Sequence, residues 1–232
     1  MKISTLLIIA GIGPGNPDLV TLNALNYART SQVILVPRSH KDVQGMAENI
    51  ISHHLPNTPL TPIIFPMTSD VQRRGKIILS QLEALAPKLE VAERIFFPVI
   101  GDSMLYSTGA YLLDAMRMVI PDVEAEFIPG ISAHSLAAAC AKRFLAMSDD
   151  ILSIIPGTAQ PAKIKATLEH SDAIAIYKPT AIKNIHELVD PSQFTKVIRV
   201  DFAGIPEKER ILEGAEALQG IKEYMSVILL WR

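Results

Sequence analysis

Short apolar runs alternate with helical apolar stripes along most of the chain. Continuous apolar runs are typical of strands buried on both faces, and a three-to-four-residue spacing is typical of helices that bury one face. The runs predict strands over residues 5–10, 32–36, 94–100, 123–128, 151–155, 173–177, 196–202 and 226–231. The stripes predict helices that include residues 71–89, 108–118 and 131–142. This alternation predicts an α/β architecture, with a boundary near 116–123 that separates domains 1–118 and 119–232.

Local signals refine three of these elements. Asn16 followed by Pro17 predicts the cap of a first helix whose stripe is Leu19, Leu22, Leu25 and Ala28. Pro37 is expected to stop the second strand, because proline has no N–H for a β-ladder. Pro98 for the same reason predicts a bulge or an edge position for the strand at 94–100.

Composition and charge exclude several classes of protein. The chain has 232 residues, of which 49% are hydrophobic and 20% charged, which excludes intrinsic disorder. Its 22 basic and 24 acidic residues give a net charge of -2, so there is no general positive field for nucleic acid or an acidic membrane. Cys140 alone cannot form an internal disulfide, and it is predicted to be a small core residue in a cytoplasmic protein. The six histidines have no metal-site spacing, so no metal is expected.

A glycine-rich loop, residues 11–15 (GIGPG), follows the first strand. Such a loop suggests dinucleotide or phosphate binding, but a dinucleotide fingerprint would have glycine where Asn16 stands. A phosphate-binding loop requires Gly-Lys-Ser/Thr, whereas Gly75-Lys76 is followed by Ile77. NAD binding and ATP hydrolysis are therefore disfavoured, and a tight turn that lets a helix pack on its strand remains an alternative.

Two more loops lie between a strand and a helix, at residues 101–108 (GDSMLYST) and 129–133 (PGISA). Ligands of open α/β sheets bind outside the carboxyl ends of the strands, which is where both loops are predicted. Asp102 can accept hydrogen bonds from a ribose or an ammonium group. The hydroxyls of Ser107, Thr108 and Ser132 can instead cap helices, which does not explain the Gly-Asp pair.

Together and in this order, the three loops resemble those of the tetrapyrrole (corrin and sirohaem) methyltransferases over nearly the whole chain. Residues 36–39 (VPRS), 65–68 (FPMT) with Asp70, 105–108 (LYST) and 224–226 (YMS) resemble the branch that methylates C20 of precorrin-2 or cobalt-factor II. The resemblance implies two α/β domains of the class III methylase fold, with a ligand cleft between them. It also implies S-adenosylmethionine as methyl donor, S-adenosylhomocysteine as product, a tetrapyrrole substrate and a homodimer.

The resemblance also assigns roles to individual positions. The implied cofactor-binding residues are Pro14, Ile100, Gly101, Asp102, Leu105, Ser107, Thr108, Ser132, Ala133, Lys178 and Gly204. The implied substrate-binding residues are Gly13, Gly15, Arg38 and His40, because a polycarboxylate needs local cations and the first loop is thought to face the tetrapyrrole. No catalytic residue is assigned; Asp102, Tyr106 and a carboxylate of the substrate remain candidates for the proton acceptor.

Three positions depart from the family pattern. Ser103 replaces a proline, Lys178 replaces a common methionine, and 144–147 (FLAM) replaces Pro-Leu-Ala with a following glycine. Two alternative functions remain: a diphthine synthase-like methyltransferase acting on a protein, and a non-catalytic nucleotide-binding module. The sequence does not distinguish metal-free from cobalt-loaded substrate.

Overall fold

A computed structural model describes residues 4–68 and 70–232 of the chain. It divides into two compact units, with the division between Ser132 and Ala133. The boundary was expected between residues 118 and 119. The strand at residues 124–128 pairs with the first strand of the chain and so belongs to the first unit, which places the structural division later in the sequence. Each unit contains one five-stranded sheet and helices, as the α/β prediction requires.

The first unit has an all-parallel sheet with helices on both faces. Its strands are β1 (Leu6–Gly11), β2 (Val33–Arg38), β3 (Leu60–Ile64), β4 (Arg94–Val99) and β5 (Glu124–Ile128), in the order β3-β2-β4-β1-β5. Its helices are α1 (Leu22–Thr30), α2 (Met46–His54), α3 (Val71–Leu89) and α4 (Gly109–Val119). Parallel neighbours place the carboxyl ends of all five strands at one edge of the sheet.

Strand β1 shows why its sequence is a continuous apolar run. Leu7 and Ile9 pack in the cluster that includes residues of α3 and α4. Ile8 and Ala10, whose side chains point the opposite way, pack in the cluster that includes residues of α1 and α2. Both faces of β1 are buried, so neither set of alternating positions can be polar.

The second unit has a mixed sheet. Its strands are β6 (Leu152–Pro156), β7 (Ala173–Tyr177), β8 (Lys196–Asp201), β9 (Arg210–Glu213) and β10 (Ser226–Trp231), in the order β6-β7-β10-β8-β9. Its helices are α5 (Ala133–Cys140), α6 (Pro161–His170) and the single turn α7 (Ile185–Leu188). Only β6 and β7 pair in parallel; β10 is antiparallel to both β7 and β8. Strands β7 and β8 therefore run in the same direction.

The two proline expectations are wrong. Strand β2 continues through Pro37, which pairs with β3. Strand β4 is the central strand of its sheet, although it contains Pro98. The carbonyl of Val99 accepts the N–H of Ile12 on the β1 side, so the nitrogen of Pro98 faces β2. Pairing between β2 and β4 reaches only to Phe96, so the missing N–H of Pro98 breaks no hydrogen bond.

The helix expected from Asn16 is divided in two. The Oδ1 of Asn16 accepts the N–H of Asp18 at 2.9 Å and caps a short 3-10 turn, Pro17–Leu19. Helix α1 has its own cap, because the Oγ1 of Thr21 accepts the N–H of Ala24. Leu22 is exposed, so its place in the predicted apolar stripe is also wrong. Over the part of the chain that is described, no helix combines the length and the apolar character needed to cross a bilayer.

Candidate functional site

The three loops of interest meet at the carboxyl edge of the first sheet, because β1 lies between β4 and β5. The first and second loops are joined by their backbones: the N–H of Gly101 donates to the carbonyl of Gly13 at 2.8 Å, and the reverse bond is 3.2 Å. Both glycines have φ of +78°, a left-handed conformation that costs glycine little. The sequence order of the loops therefore predicted a real spatial cluster.

Glycine at two of these positions is required by close packing of the backbones. A Cβ built on Gly11 would lie 2.6 Å from both the Gly101 oxygen and the Gly130 nitrogen. A Cβ built on Gly130 would lie 2.4 Å from the same Gly101 oxygen. Glycine at these two positions therefore lets the backbones of the three loops pack against one another. A side chain at either position would force the three loops apart.

Asp102 links the second loop to the third, and Ser103 links it to the end of β5. The carboxylate of Asp102 accepts the N–H of Met104 at 2.7 Å and the N–H of Gly130 at 3.0 Å. An ionised carboxylate has about four acceptor positions, so Asp102 retains capacity for a ligand. The Oγ of the buried Ser103 donates to the carbonyl of Ile128 at 2.8 Å. That bond constrains the loop at the position where the related family has proline.

The remaining residues of the second loop differ in their surroundings. The Oγ of Ser107 accepts the N–H of Gly109 at 3.0 Å, so the capping alternative is correct for this hydroxyl. Thr108 precedes α4 but its side chain makes no capping bond. Tyr106 has φ of +52°, is 42% exposed, and its pKa is raised by burial of the ring. Ile100 is exposed and Leu105 is half-buried.

The other predicted residues of the first unit lie at the same edge with different exposure. Pro14 is buried, which limits its contact with any ligand, and Gly15 is half-buried with φ of +148°. Arg38 is the last residue of β2, and His40 follows it in an exposed position. All four lie on loops or strand ends at the edge defined by the glycine contacts.

Arg38 is not a free cation. Its Nε lies 2.6 Å from one carboxylate oxygen of Glu48, its Nη2 lies 2.5 Å from the other, and its Nη1 donates to the carbonyl of Lys41. Glu48 is buried, and this ion pair lowers the pKa of Glu48 and raises that of Arg38. The guanidinium therefore has a structural partner that any anionic substrate would have to share.

The predicted residues of the second unit form a separate group. Lys178 follows β7 with φ of +51°, and Gly204 follows β8 with φ of +77°. These strands run in the same direction, so both residues lie at the same edge of the second sheet. Ala133 is the first residue of α5, directly after Ser132. The hydroxyl of Tyr177 accepts the N–H of His134 at 3.1 Å, which attaches the start of α5 to the end of β7.

Three side chains that hold the predicted site residues in place were not predicted from the sequence. Tyr177 is the polar end of an apolar strand, a position where a buried tyrosine usually has a hydrogen-bond partner, so the sequence did indicate that Tyr177 has one. Glu48 belongs to α2, which was not predicted. Glu209 accepts both the N–H of Gly204 and the thiol of Cys140, two residues far apart in sequence. Cys140 itself is only partly buried.

Within residues 4–68 and 70–232, no three histidine, cysteine or acidic side chains are grouped as a metal site would require. His54 is near a backbone carbonyl instead, with its Nε2 at 2.9 Å from the oxygen of Pro17.

Comparison with known proteins gives the family. The model of the Tetrapyrrole (Corrin/Porphyrin) Methylases matches residues 6–217. The cobalt-precorrin-2 C(20)-methyltransferase of Salmonella typhimurium is 30% identical over 167 residues, which is 72% of this chain and 69% of that protein. The precorrin-2 C(20)-methyltransferase of Sinorhizobium sp is 27% identical over 183 residues, 74% of this chain and 72% of that one.

A solved structure supports the fold. Uroporphyrin-III C-methyl transferase from Thermus thermophilus, complexed with S-adenyl homocysteine, has a TM-score of 0.65 and 17% identity. The match covers 99% of this chain and 98% of that one. With the family model matching most of the sequence, the chain belongs to the tetrapyrrole methylase family.

Proposed function

We propose that the protein transfers a methyl group from S-adenosylmethionine to C20 of precorrin-2 or cobalt-factor II in cobalamin biosynthesis. The observation that carries the proposal is similarity, over about three quarters of the chain, to relatives named for C(20) methylation. We propose that this chemistry takes place at the carboxyl edge of the first sheet, where the glycine loops pack together, because ligands of open α/β sheets bind at such edges.

The residues at this edge fit the proposed methyl donor. Asp102 has acceptor capacity for ribose hydroxyls or an ammonium group, and we assign the neighbouring Gly101 to the same contact. Ile100 supplies an exposed apolar surface beside them. We also assign to the donor Leu105, Ser107, Thr108, Ser132, Ala133, Lys178, Gly204 and Pro14, of which Pro14 is buried, as Gly101 is.

The chain's own contribution is orientation and exclusion of water. When bound, S-adenosylmethionine supplies a methyl group activated by its positively charged sulfur. Fixing donor and acceptor in line can account for roughly 7–11 kcal/mol of barrier lowering in favourable cases. A rigid backbone edge suits this task, because the Gly13–Gly101 bridge and the bonds of Asp102 fix three loops together.

The methylated carbon must release a proton if the macrocycle is to recover its conjugation. Burial raises the pKa of Tyr106, so its hydroxyl remains protonated at neutral pH and acts as a hydrogen-bond donor. This disfavours Tyr106 as the proton acceptor. We therefore assign that role to Asp102 or to a carboxylate of the substrate itself.

The substrate carries several carboxylates and requires cations near the edge. We propose contacts with His40, which is exposed, and with Arg38, whose charge is shared with Glu48. Gly13 and Gly15 would face the macrocycle. We further propose a cytoplasmic homodimer that binds neither nucleic acid nor membrane, in keeping with the net charge of -2 and the family resemblance.

Parallel reactions with metal-free and cobalt-loaded substrate test the proposed function. Purified protein, S-adenosylmethionine and either precorrin-2 or cobalt-factor II should give a product heavier by one CH₂ group, with isotope-labelled methyl found at C20. The matched control is the Asp102→Ala variant in the same reactions. Binding of the donor without a product from either substrate would reject the proposal and favour a non-catalytic module. Methylation of a protein instead would favour the diphthine synthase-like alternative.

A further inference from the structure

The loop that follows β8 has an unusual backbone that needs support. Phe202 and Gly204 both have left-handed φ values, of +52° and +77°. Left-handed backbone is unfavourable for a residue with a side chain, so the surrounding structure must hold it. Pro206, Glu207 and Lys208 are exposed, and of these Lys208 contacts the loop through its Nζ, 5.8 Å from the centre of the Phe202 ring.

Backbone bonds hold part of this loop, since Phe202 donates its N–H to the carbonyl of Met225 and accepts the N–H of Ile205, and one carboxylate adds a side-chain link. Glu209 accepts the N–H of Gly204 at 2.7 Å and the thiol of Cys140 at 3.1 Å, both at its Oε2. Cys140 is the last residue of α5, the helix that begins at Ala133. The single oxygen therefore connects the Gly204 loop to a helix distant in sequence.

We propose that Glu209 is a positioning residue that fixes the Gly204 loop for binding of the methyl donor. The inference rests on the proposed function, which places Gly204 against S-adenosylmethionine. Glu209 acts through the backbone of Gly204 and does not itself touch the donor. A bond from a backbone N–H to an ionised carboxylate is stronger than one between neutral groups, so its removal should loosen the loop.

The chemistry of the side chain separates two variants of Glu209. Glutamine retains a carbonyl oxygen that can accept the Gly204 N–H, whereas alanine retains no acceptor. Glu209→Ala should therefore weaken binding of the donor about tenfold, and Glu209→Gln by no more than about threefold. In turnover, the loss should appear as a higher KM for the donor with kcat nearly unchanged, since Glu209 takes no part in the chemical step.

Cys140 provides a readout that needs no donor. Its thiol pKa is raised to about 11, mainly by burial and then by the bond and the charge of Glu209. Because Cys140 is the one cysteine of the chain, alkylation as a function of pH reports this contact without ambiguity. Both variants remove the negative charge, so both should lower the pKa of the thiol.

The experiment compares wild type, Glu209→Ala, Glu209→Gln and the matched control Glu207→Ala, an exposed acid of the same loop. Donor affinity is measured by calorimetry, folding by thermal melting and thiol pKa by alkylation. Glu207→Ala should match wild type in all three. If Glu209→Ala does not fold, it is replaced by Glu209→Asp, which keeps the charge on a shorter side chain. This variant should weaken binding of the donor about as much as expected for Glu209→Ala.

The outcomes distinguish the two proposals. Wild type that fails to bind S-adenosylmethionine overturns the proposed function and this inference with it. Wild-type binding with unchanged affinity in Glu209→Ala overturns the inference alone. Equal losses in Glu209→Ala and Glu209→Gln, or an unchanged Cys140 pKa in both variants, also overturn it.

Discussion

Replacing Gly130 by alanine tests the packing of the three loops directly. The added Cβ would lie 2.4 Å from the oxygen of Gly101, 2.6 Å from the carbonyl carbon of Gly11 and 2.7 Å from the oxygen of Gly11. An ordinary contact begins at 3.4 Å, so the loops must separate by about 1 Å. All three neighbours are backbone atoms at the ends of paired strands, so no side chain can turn aside.

The expected cost follows from what that separation breaks. Forcing an extra carbon into a close-packed site costs about 1–3 kcal/mol. Each hydrogen bond lost, such as the one from Gly130 to Asp102 or those between Gly13 and Gly101, adds about 1 kcal/mol. With the Gly130–Asp102 bond lost, we expect Gly130→Ala to destabilise the first unit by about 2–4 kcal/mol and to abolish detectable donor binding.

Gly75 provides a control with the same chemical change. It lies inside α3, and a Cβ built there meets no atom within 4 Å. Alanine at such a site should stabilise the helix by about 0.5–1 kcal/mol, because glycine loses more backbone entropy on folding. The two substitutions therefore have opposite predicted signs.

Hydrogen exchange of the β1 amides measures the stability of the first unit, and calorimetry measures donor affinity. Exchange is preferred to tryptophan fluorescence, since the one tryptophan, Trp231, lies in the second unit. Wild-type exchange and wild-type affinity in Gly130→Ala would refute the packing argument. So would a destabilised Gly75→Ala, because the absence of neighbours would then have no predictive value.

Three further substitutions test individual contacts. Asp102→Ala should weaken binding of the donor more than tenfold, because it removes both the acceptor for the ligand and the hydrogen bond to Gly130. An unaltered dissociation constant in calorimetry would contradict this. Ser103→Ala should cost about 1 kcal/mol in denaturant with little change in donor affinity, and a large loss of affinity would contradict the purely structural role. In spectroscopic titrations, Arg38→Ala should weaken binding of the tetrapyrrole and leave binding of the donor unchanged. Because the ion pair lowers the pKa of Glu48, this carboxylate contributes stability that is fully present above its unfolded pKa and is lost as pH falls through the folded pKa. Arg38→Ala should remove that pH dependence, and a variant that melts like wild type at every acidic pH would refute the ion-pair argument.

The elements that the sequence predicts well have strong local signals. The bounds of α3 are those expected, because Asp70 caps the helix and Ile78 and Leu82 recur on one buried stripe. β7 and β10 are also as expected, since every residue of β10 is buried. β3 and β9 were missed because they lie at sheet edges with few buried positions, so their sequences lack a continuous apolar run.

The candidate site divides in the same way. The convergence of the loops was predictable, because parallel strands place their carboxyl ends together. The contacts that hold the loops were not. These contacts join segments whose proximity depends on tertiary structure rather than on spacing in the sequence. They are the hydrogen bonds of Glu48 with Arg38, Tyr177 with His134 and Glu209 with Cys140.

The close backbone packing of Gly11, Gly101 and Gly130 has a consequence for redesign of the enzyme. Gly11 and Gly130 have no room for a Cβ, and Gly101 has φ of +78°, so these three positions tolerate few substitutions. Mutant libraries aimed at new methyl acceptors should keep the three glycines and randomise the exposed residues Met104 and Tyr106 instead. Changes of substrate range would then arise there without loss of the shared scaffold.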